Sequence, residues 1–233
     1  MRAYLYLLVF IPVTGLFAVS ASICTLFDSS GRSYAFHARL WARFGLALNH
    51  TPVELRGVEN LPDGPFILMS NHQSNFDILA LIAKIPRRIY WIAKKELFDI
   101  PVFGSSMRRG GYIPLDRSDG RKALKSMDNA AAIIRQGSSV VMFPEGTRSR
   151  DGHLLPFKRG GFMLAVRAGV PVIPVTINGS GTVNPGGRVE LFSGRITVTL
   201  HPRVTVPEGL KKGAAEEWMM ETVRSVITSG LEN

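Results

Sequence analysis

Phe66-Ile67-Leu68-Met69-Ser70-Asn71-His72-Gln73-Ser74-Asn75-Phe76-Asp77-Ile78-Leu79 contains the change of periodicity on which the fold turns. Phe66 to Met69 is a short apolar run introduced by Pro62, Gly64 and Pro65, which predicts a buried strand. Beyond it, Phe76, Ile78, Leu79, Leu81, Ile82 and Ile85 recur at helical spacing until Pro86 stops them. A strand feeding a helix through a short polar turn is the unit of an α/β protein, and such turns are where these folds place reactive groups. His72 lies in that turn and Asp77 in the first turn of the helix.

Two roles fit this pair. Ser74-Asn75-Phe76-Asp77 matches a capping pattern, in which the two side chains satisfy free amides at a helix start. The same residues set an imidazole close to a carboxylate, the arrangement of a general base and its orienting partner. Local pattern admits both, so the decision falls to the rest of the chain.

Outward from this unit, short β-like runs alternate with helical ones. Strands are predicted at 53–56, 66–69, 88–93, 110–115, 139–143, 170–177 and 195–200, and helices near 74–84, 95–103, 119–136, 160–168 and 214–229. Gly179 to Arg188 is expected to be a long mobile loop. Residues 51–233 therefore predict a single α/β domain with a largely parallel or mixed central sheet flanked by helices.

Residues 1–50 differ in character. No charge occurs from Ala3 to Phe27, and a helix of that length reaches roughly 37 Å, enough to cross a bilayer core. Met1-Arg2 and Val19-Ser20-Ala21 also resemble parts of a secretory signal, but the apolar run continues past that point. Residues 32–49 follow as an amphipathic helix with Arg32, Arg39 and Arg43 on one side, as expected at a membrane surface. Arginines flank the apolar run on both sides, so charge does not select an orientation for a span; a membrane-associated two-helix hairpin dipping into one leaflet, with both ends cytoplasmic, is expected in preference to a full span.

The 233 residues carry a net charge of +10, which predicts an anionic partner: nucleic acid, an anionic membrane face or a phosphorylated substrate. No nucleic-acid motif accompanies the charge. A single cysteine, Cys24, excludes an internal disulfide, and the five histidines show no paired ligand spacing, so no metal and no cofactor are expected.

A second constellation follows the most apolar strand. In Phe143-Pro144-Glu145-Gly146-Thr147-Arg148-Ser149, Pro144 ends the ladder and Gly146 allows close backbone approach. Thr147 and Arg148 add a hydroxyl and a guanidinium fork, chemistry suited to a phosphate. Lys94, Lys95, Arg108, Arg109, Arg117, Arg121, Lys158 and Arg159 border the predicted sheet, where some could line an anion cleft.

Four ordered blocks now stand together: Asn71-His72-Gln73-Ser74 with Asp77, Gly111-Tyr112-Ile113-Pro114-Leu115-Asp116-Arg117, the Phe143 to Ser149 turn, and Val172-Ile173-Pro174-Val175. Over about Val53 to Thr205 the chain resembles the glycerolipid acyltransferases, and among them the 1-acylglycerol-3-phosphate (lysophosphatidic acid) acyltransferases. The resemblance implies that His72 is the catalytic base and Asp77 its partner. It further implies that Glu145, Gly146, Thr147, Arg148, Arg117 and Lys94 bind the substrate phosphate. The second block departs from the commoner family pattern, which bears on Arg117.

The implied reaction moves an acyl group from acyl-coenzyme A or acyl-carrier protein to the 2-hydroxyl of lysophosphatidic acid. It would act at the cytoplasmic face of the inner membrane, beside anionic lipid and without nucleic acid. No protein nucleophile is evident, so direct transfer is expected, with amides at the helix start as candidate oxyanion donors. Acylation of glycerol 3-phosphate or another lysophospholipid, hydrolysis of a thioester, and a non-enzymatic lipid-binding role are the alternatives.

Overall fold

The computed structural model describes residues 1–28, 30–116 and 118–232. Helices α1 (Arg2–Cys24) and α2 (Arg32–Leu48) come first, then strand β1 (Val53–Arg56). Next are β2 (Ile67–Ser70), α3 (Phe76–Lys84), β3 (Ile89–Lys94), α4 (Phe103–Arg109), β4 (Ile113–Leu115), α5 (Gly120–Arg135) and β5 (Ser139–Met142). The chain continues through α6 (Gly160–Ala168), β6 (Val172–Asn178), the one-turn α7 (Ser180–Val183), β7 (Ile196–Leu200) and α8 (Lys212–Ser229).

The seven strands form one mixed sheet in the order β1-β7-β6-β2-β5-β3-β4. Five neighbours, β6, β2, β5, β3 and β4, run parallel, and β7 turns the sheet antiparallel against β6. Every residue of β2, β5 and β6 is buried. That burial explains their unbroken apolar runs, since a parallel strand is covered on both faces. Ala80, Leu81 and Phe66 lie in the core on the face of α1, α2 and α3, whereas Ala131, Leu164 and Val223 lie in the core beneath α5, α6 and α8.

The N-terminal helices pack closely on the α/β unit. Phe10 stacks on Trp41 at 5.5 Å, Tyr6 meets Phe76 at 5.8 Å, and the Trp41 indole donates to Thr14 Oγ1 at 2.9 Å. At its start α1 is tied down by Arg2, which donates to Asn49 and to Ser193 Oγ. The expected basic face of α2 divides. Arg32 and Arg43 are exposed, but Arg39 turns inward and donates to the Ile85 carbonyl at 2.8 Å and the Arg87 carbonyl at 3.3 Å. Both carbonyls lie just after α3, on either side of Pro86, which ends the helix, and the guanidinium satisfies them there.

Two other expectations are corrected. The helix predicted over 95–103 is a 3-10 turn at Lys95–Asp99 followed, after Pro101, by α4. The segment from Gly179 to Arg188 is not an open loop: α7 opens it, and Ser180 and Val183 are buried.

Candidate functional site

β2 and β5 are parallel neighbours, so the turns that leave them emerge side by side at the carboxyl edge of the sheet. The first carries His72 and the second carries Glu145 to Arg148. Asn71 fixes the first turn by mimicking a strand residue: its side chain donates to the Ile177 carbonyl and accepts the Ile177 amide, both at 2.8 Å. The Ser149 amide donates to the His72 carbonyl at 2.8 Å and joins the two turns.

His72 Nδ1 lies 2.8 Å from Asp77 Oδ2. Asp77 is fully buried, and the same oxygen accepts the Gln73 and Ser74 amides at 2.8 Å each. An acceptor-only carboxylate places the proton on Nδ1, which leaves Nε2 with a free lone pair. The imidazole also stacks on Phe143, centroids 3.7 Å apart and planes within 5°, so its orientation is fixed by a ring as well as by a charge. Capping and orientation coincide here: Ser74 Oγ accepts the Phe76 amide at 3.1 Å while Asp77 reaches back to the Ser74 amide and across to the imidazole.

Of the amides around the helix start, which are the expected oxyanion donors, those of Gln73 and Ser74 are held by Asp77 and that of Phe76 by Ser74, so the expectation narrows to the others there. The His72 amide is taken as well, by Glu145 Oε1 at 2.6 Å.

Glu145, expected to bind phosphate, instead lies buried behind the outward-facing residues of its turn. Only 1% exposed, it holds the His72 amide on one oxygen and the Leu155 amide on the other at 2.8 Å. Burial pushes its carboxyl up to about 7 against the pull of those two amides, and the Asp77 charge adds to the rise. Its place in the motif is thus to brace two loops, a task the short-range sequence pattern did not reveal.

The other motif residues face outward. Gly146 has φ +71°, a conformation glycine adopts without strain, and a Cβ there would lie 3.0 Å from Lys158 Cδ. Lys158 therefore lies over this turn, a cation that sequence spacing alone did not assign to it. Thr147 is exposed, and Arg148 donates to Asn75 Oδ1 at 2.7 Å, so the guanidinium is anchored to the loop that bears His72. Lys94 is exposed at the carboxyl end of β3, on the same edge of the sheet. Arg117 lies outside the described residues. Of the other basic residues, Lys95 pairs with Asp116 at 3.2 Å, Arg159 pairs with Glu216 at 2.8 Å, and Arg108 donates to the Phe98 carbonyl.

An apolar cavity of about 150 Å³ lies between α1, α2, α3, β3 and α4, lined by Thr14, Ala18, Trp41, Ile82, Trp91 and Met107 among others. Trp91 stands 5.6 Å from Phe143, the ring that stacks on His72. Its lining is almost wholly apolar, which suits a hydrocarbon chain.

The acyltransferase family model matches residues 52–178 of this chain. The chain belongs to the acyltransferase family. It is 39% identical over 180 residues to the 1-acyl-sn-glycerol-3-phosphate acyltransferase BAT2, chloroplastic, of Brassica napus, an alignment covering 76% of this chain and 52% of that one. The chain thus spans about half the length of that relative. With the 1-acyl-sn-glycerol-3-phosphate acyltransferase of Pseudomonas aeruginosa the identity is 33% over 204 residues, covering 83% of this chain and 79% of the other. The solved structure of the 1-acyl-sn-glycerophosphate acyltransferase PlsC of Thermotoga maritima has the same acyltransferase fold, with a TM-score of 0.77 at 28% identity over 97% of this chain and 98% of that one.

Proposed function

We propose that this acyltransferase moves a fatty acyl group from an acyl thioester to the 2-hydroxyl of lysophosphatidic acid, giving phosphatidic acid. The observation that carries the reading is the His72–Asp77 pair: Nδ1 faces the buried carboxylate at 2.8 Å, which turns Nε2 away from it, on a loop to which Arg148 is anchored through Asn75. The names of the Brassica, Pseudomonas and Thermotoga relatives point the same way.

His72 Nε2 takes the acceptor hydroxyl proton as that oxygen attacks the thioester carbonyl. The carbon–sulfur bond then breaks, and the imidazolium returns its proton to the departing thiolate. Asp77 stabilises the imidazolium. Arg148, with Lys94, Arg117 and the backbone and hydroxyl of Gly146 and Thr147, holds the phosphate so that the hydroxyl meets the base. The cavity behind Trp91 receives part of an acyl chain. No acyl-enzyme forms, since Ser74 is committed to its cap and Cys24 ends α1. The donor is acyl-coenzyme A or acyl-carrier protein.

Residues 1–50 serve as a membrane hairpin and residues 51–233 carry the chemistry, at the cytoplasmic face of the inner membrane. α1 is long and apolar enough to cross a bilayer. It is nevertheless held along its length by Arg2 at one end and by Ala18 and Ala21 beside the cavity at the other. Contacts at both ends support a helix lying in one leaflet against its own domain.

The test is transfer of labelled acyl-coenzyme A to lysophosphatidic acid in vesicles. His72→Ala should lower kcat by about 10²–10⁴ while vesicle binding is unchanged. Near-normal turnover would remove His72 from its role, and a mass-spectrometric acyl adduct formed from donor alone would sink direct transfer.

A further inference from the structure

The segment from Leu97 to Phe103, between β3 and α4, supplies none of the polar groups assigned above. Phe98 is buried, whereas Leu97, Ile100 and Val102 are 39%, 44% and 48% exposed. Val102 has φ +63° and ψ −58°, a conformation that β-branched residues almost never adopt. The Phe103 amide donates to the Pro101 carbonyl at 2.6 Å across it, closing a three-residue γ-turn of the rare, strained hand. Beneath the turn, the Gly104 amide donates to the Ile100 carbonyl at 2.8 Å, and a Cβ on Gly104 would lie 2.1 Å from the Phe98 carbonyl oxygen. An exposed turn with positive φ ordinarily carries glycine or asparagine. This one spends strain to hold two aliphatic side chains outward.

The apex is continuous with α1. Val102 lines a shallow groove with Val19, Ile23 and Leu26, bordered by Ser105 and Arg109. On the inner side, Leu97 and Phe103 share the wall of the apolar cavity with Phe17 and Ala21 of α1. Leu16, Ile23, Leu26 and Phe27 are themselves widely exposed, so helix and loop present one apolar surface larger than isolated exposed residues would make. The exposed Arg109 at its border supplies the charge that an anionic headgroup complements.

We propose that Leu97–Phe103 is a third membrane-contacting element, which inserts Ile100 and Val102 into the leaflet that holds α1 and sets Arg109 among anionic headgroups. The inference rests on the reading of α1 as a helix lying in the bilayer. It places the outer wall of the cavity within the lipid, so that an acyl chain passes between α1 and the loop without crossing water.

Cys24 is the chain's single cysteine, so Cys24→Ser gives a background for single labels. Nitroxides at Leu8→Cys, Ile100→Cys and, on the α6 and α8 side, Leu210→Cys would be compared on full-length protein with vesicles of phosphatidylglycerol and phosphatidylcholine. Collisions with oxygen and with a water-soluble nickel complex report depth. Labels at 8 and 100 should become oxygen-accessible and shielded from nickel when vesicles are added, with 210 unchanged. Shielding at 8 with continued nickel access at 100 overturns the loop insertion and leaves the α1 reading intact; nickel access at both overturns the two together. Separately, Ile100→Asp with Val102→Asp should weaken vesicle binding about tenfold or more without lowering Tm, since aspartate tolerates positive φ better than valine. Undiminished binding would overturn the proposal.

Discussion

Glu145 shows how one buried carboxyl can govern a site it does not enter. Its two oxygens hold the amides of His72 and Leu155, so the loop bearing the proposed base and the loop after the phosphate turn share one brace. The group costs stability when ionised, because burial lifts its folded-state value from 4.5 to about 7. The sign follows: the contribution is fully present below pH 4.5 and is lost as pH rises through about 7. Glu145→Gln removes the titration. Wild type should therefore lose on the order of 3 kcal/mol relative to the variant between pH 4.5 and 8. Urea unfolding of both proteins at several pH values measures this, and a pH-independent difference would show that Glu145 does not titrate in that window. The variant should also be less stable than wild type in the acid range by roughly 1–3 kcal/mol, since its amide nitrogen opposes a backbone donor.

At the level of elements, the site depends on a contact between chain segments far apart in sequence. Gly186 packs so closely that a Cβ would lie 2.3 Å from the Ser149 carbonyl oxygen and 3.1 Å from that of Gln73. Those carbonyls belong to the two turns of the site, so Gly186→Ala must push the segment after α7 away from both. A loss of about 1–3 kcal/mol in stability and a lowered kcat are expected. Gly120→Ala, where a Cβ meets nothing within 4 Å at the first residue of α5, is the control and should lower neither. If Gly186→Ala unfolds and turns over like wild type, the segment does not buttress the site. The same contact marks the limit of what the sequence discloses. β2 and β5 are legible because strands covered on both faces leave continuous apolar runs, and the His72 turn is legible because its motif is local. Asn71 pairing with Ile177 across the sheet, Arg39 closing α3, Glu145 reaching Leu155 and Lys158 crossing Gly146 leave no periodic trace. Each is a contact fixed by tertiary position, and polar residues in loops read alike whether they brace, bind or face solvent. The strained turn at Val102 is hidden for a related reason: nothing in Ile100-Pro101-Val102 predicts positive φ at a β-branched residue.

For the whole molecule, the question is where a net charge of +10 acts. Several cations are already engaged inside the protein: Arg39 on the carbonyls after α3, Arg159 with Glu216, Lys95 with Asp116 and Arg224 on the Leu155 carbonyl. Arg32, Arg43 and Arg109 remain exposed on α2 and α4, the elements adjoining α1. In the proposed orientation those three meet the membrane, while Arg148 and Lys94 await a phosphate at the carboxyl edge of the sheet. The two uses respond differently to salt. Attraction of exposed arginines to an anionic surface contributes about 1 kcal/mol each and fades as the screening length falls from about 10 Å at 0.1 M to about 3 Å at 1 M. Apolar insertion by α1 is not weakened by screening. Binding to phosphatidylglycerol vesicles should thus fall about tenfold or more over that range and converge on the salt-insensitive binding to phosphatidylcholine vesicles. Cosedimentation at graded salt measures both. Equal affinity for the two lipids at low salt would mean that the exposed arginines do not face the bilayer, and that the charge of this acyltransferase serves its substrates alone.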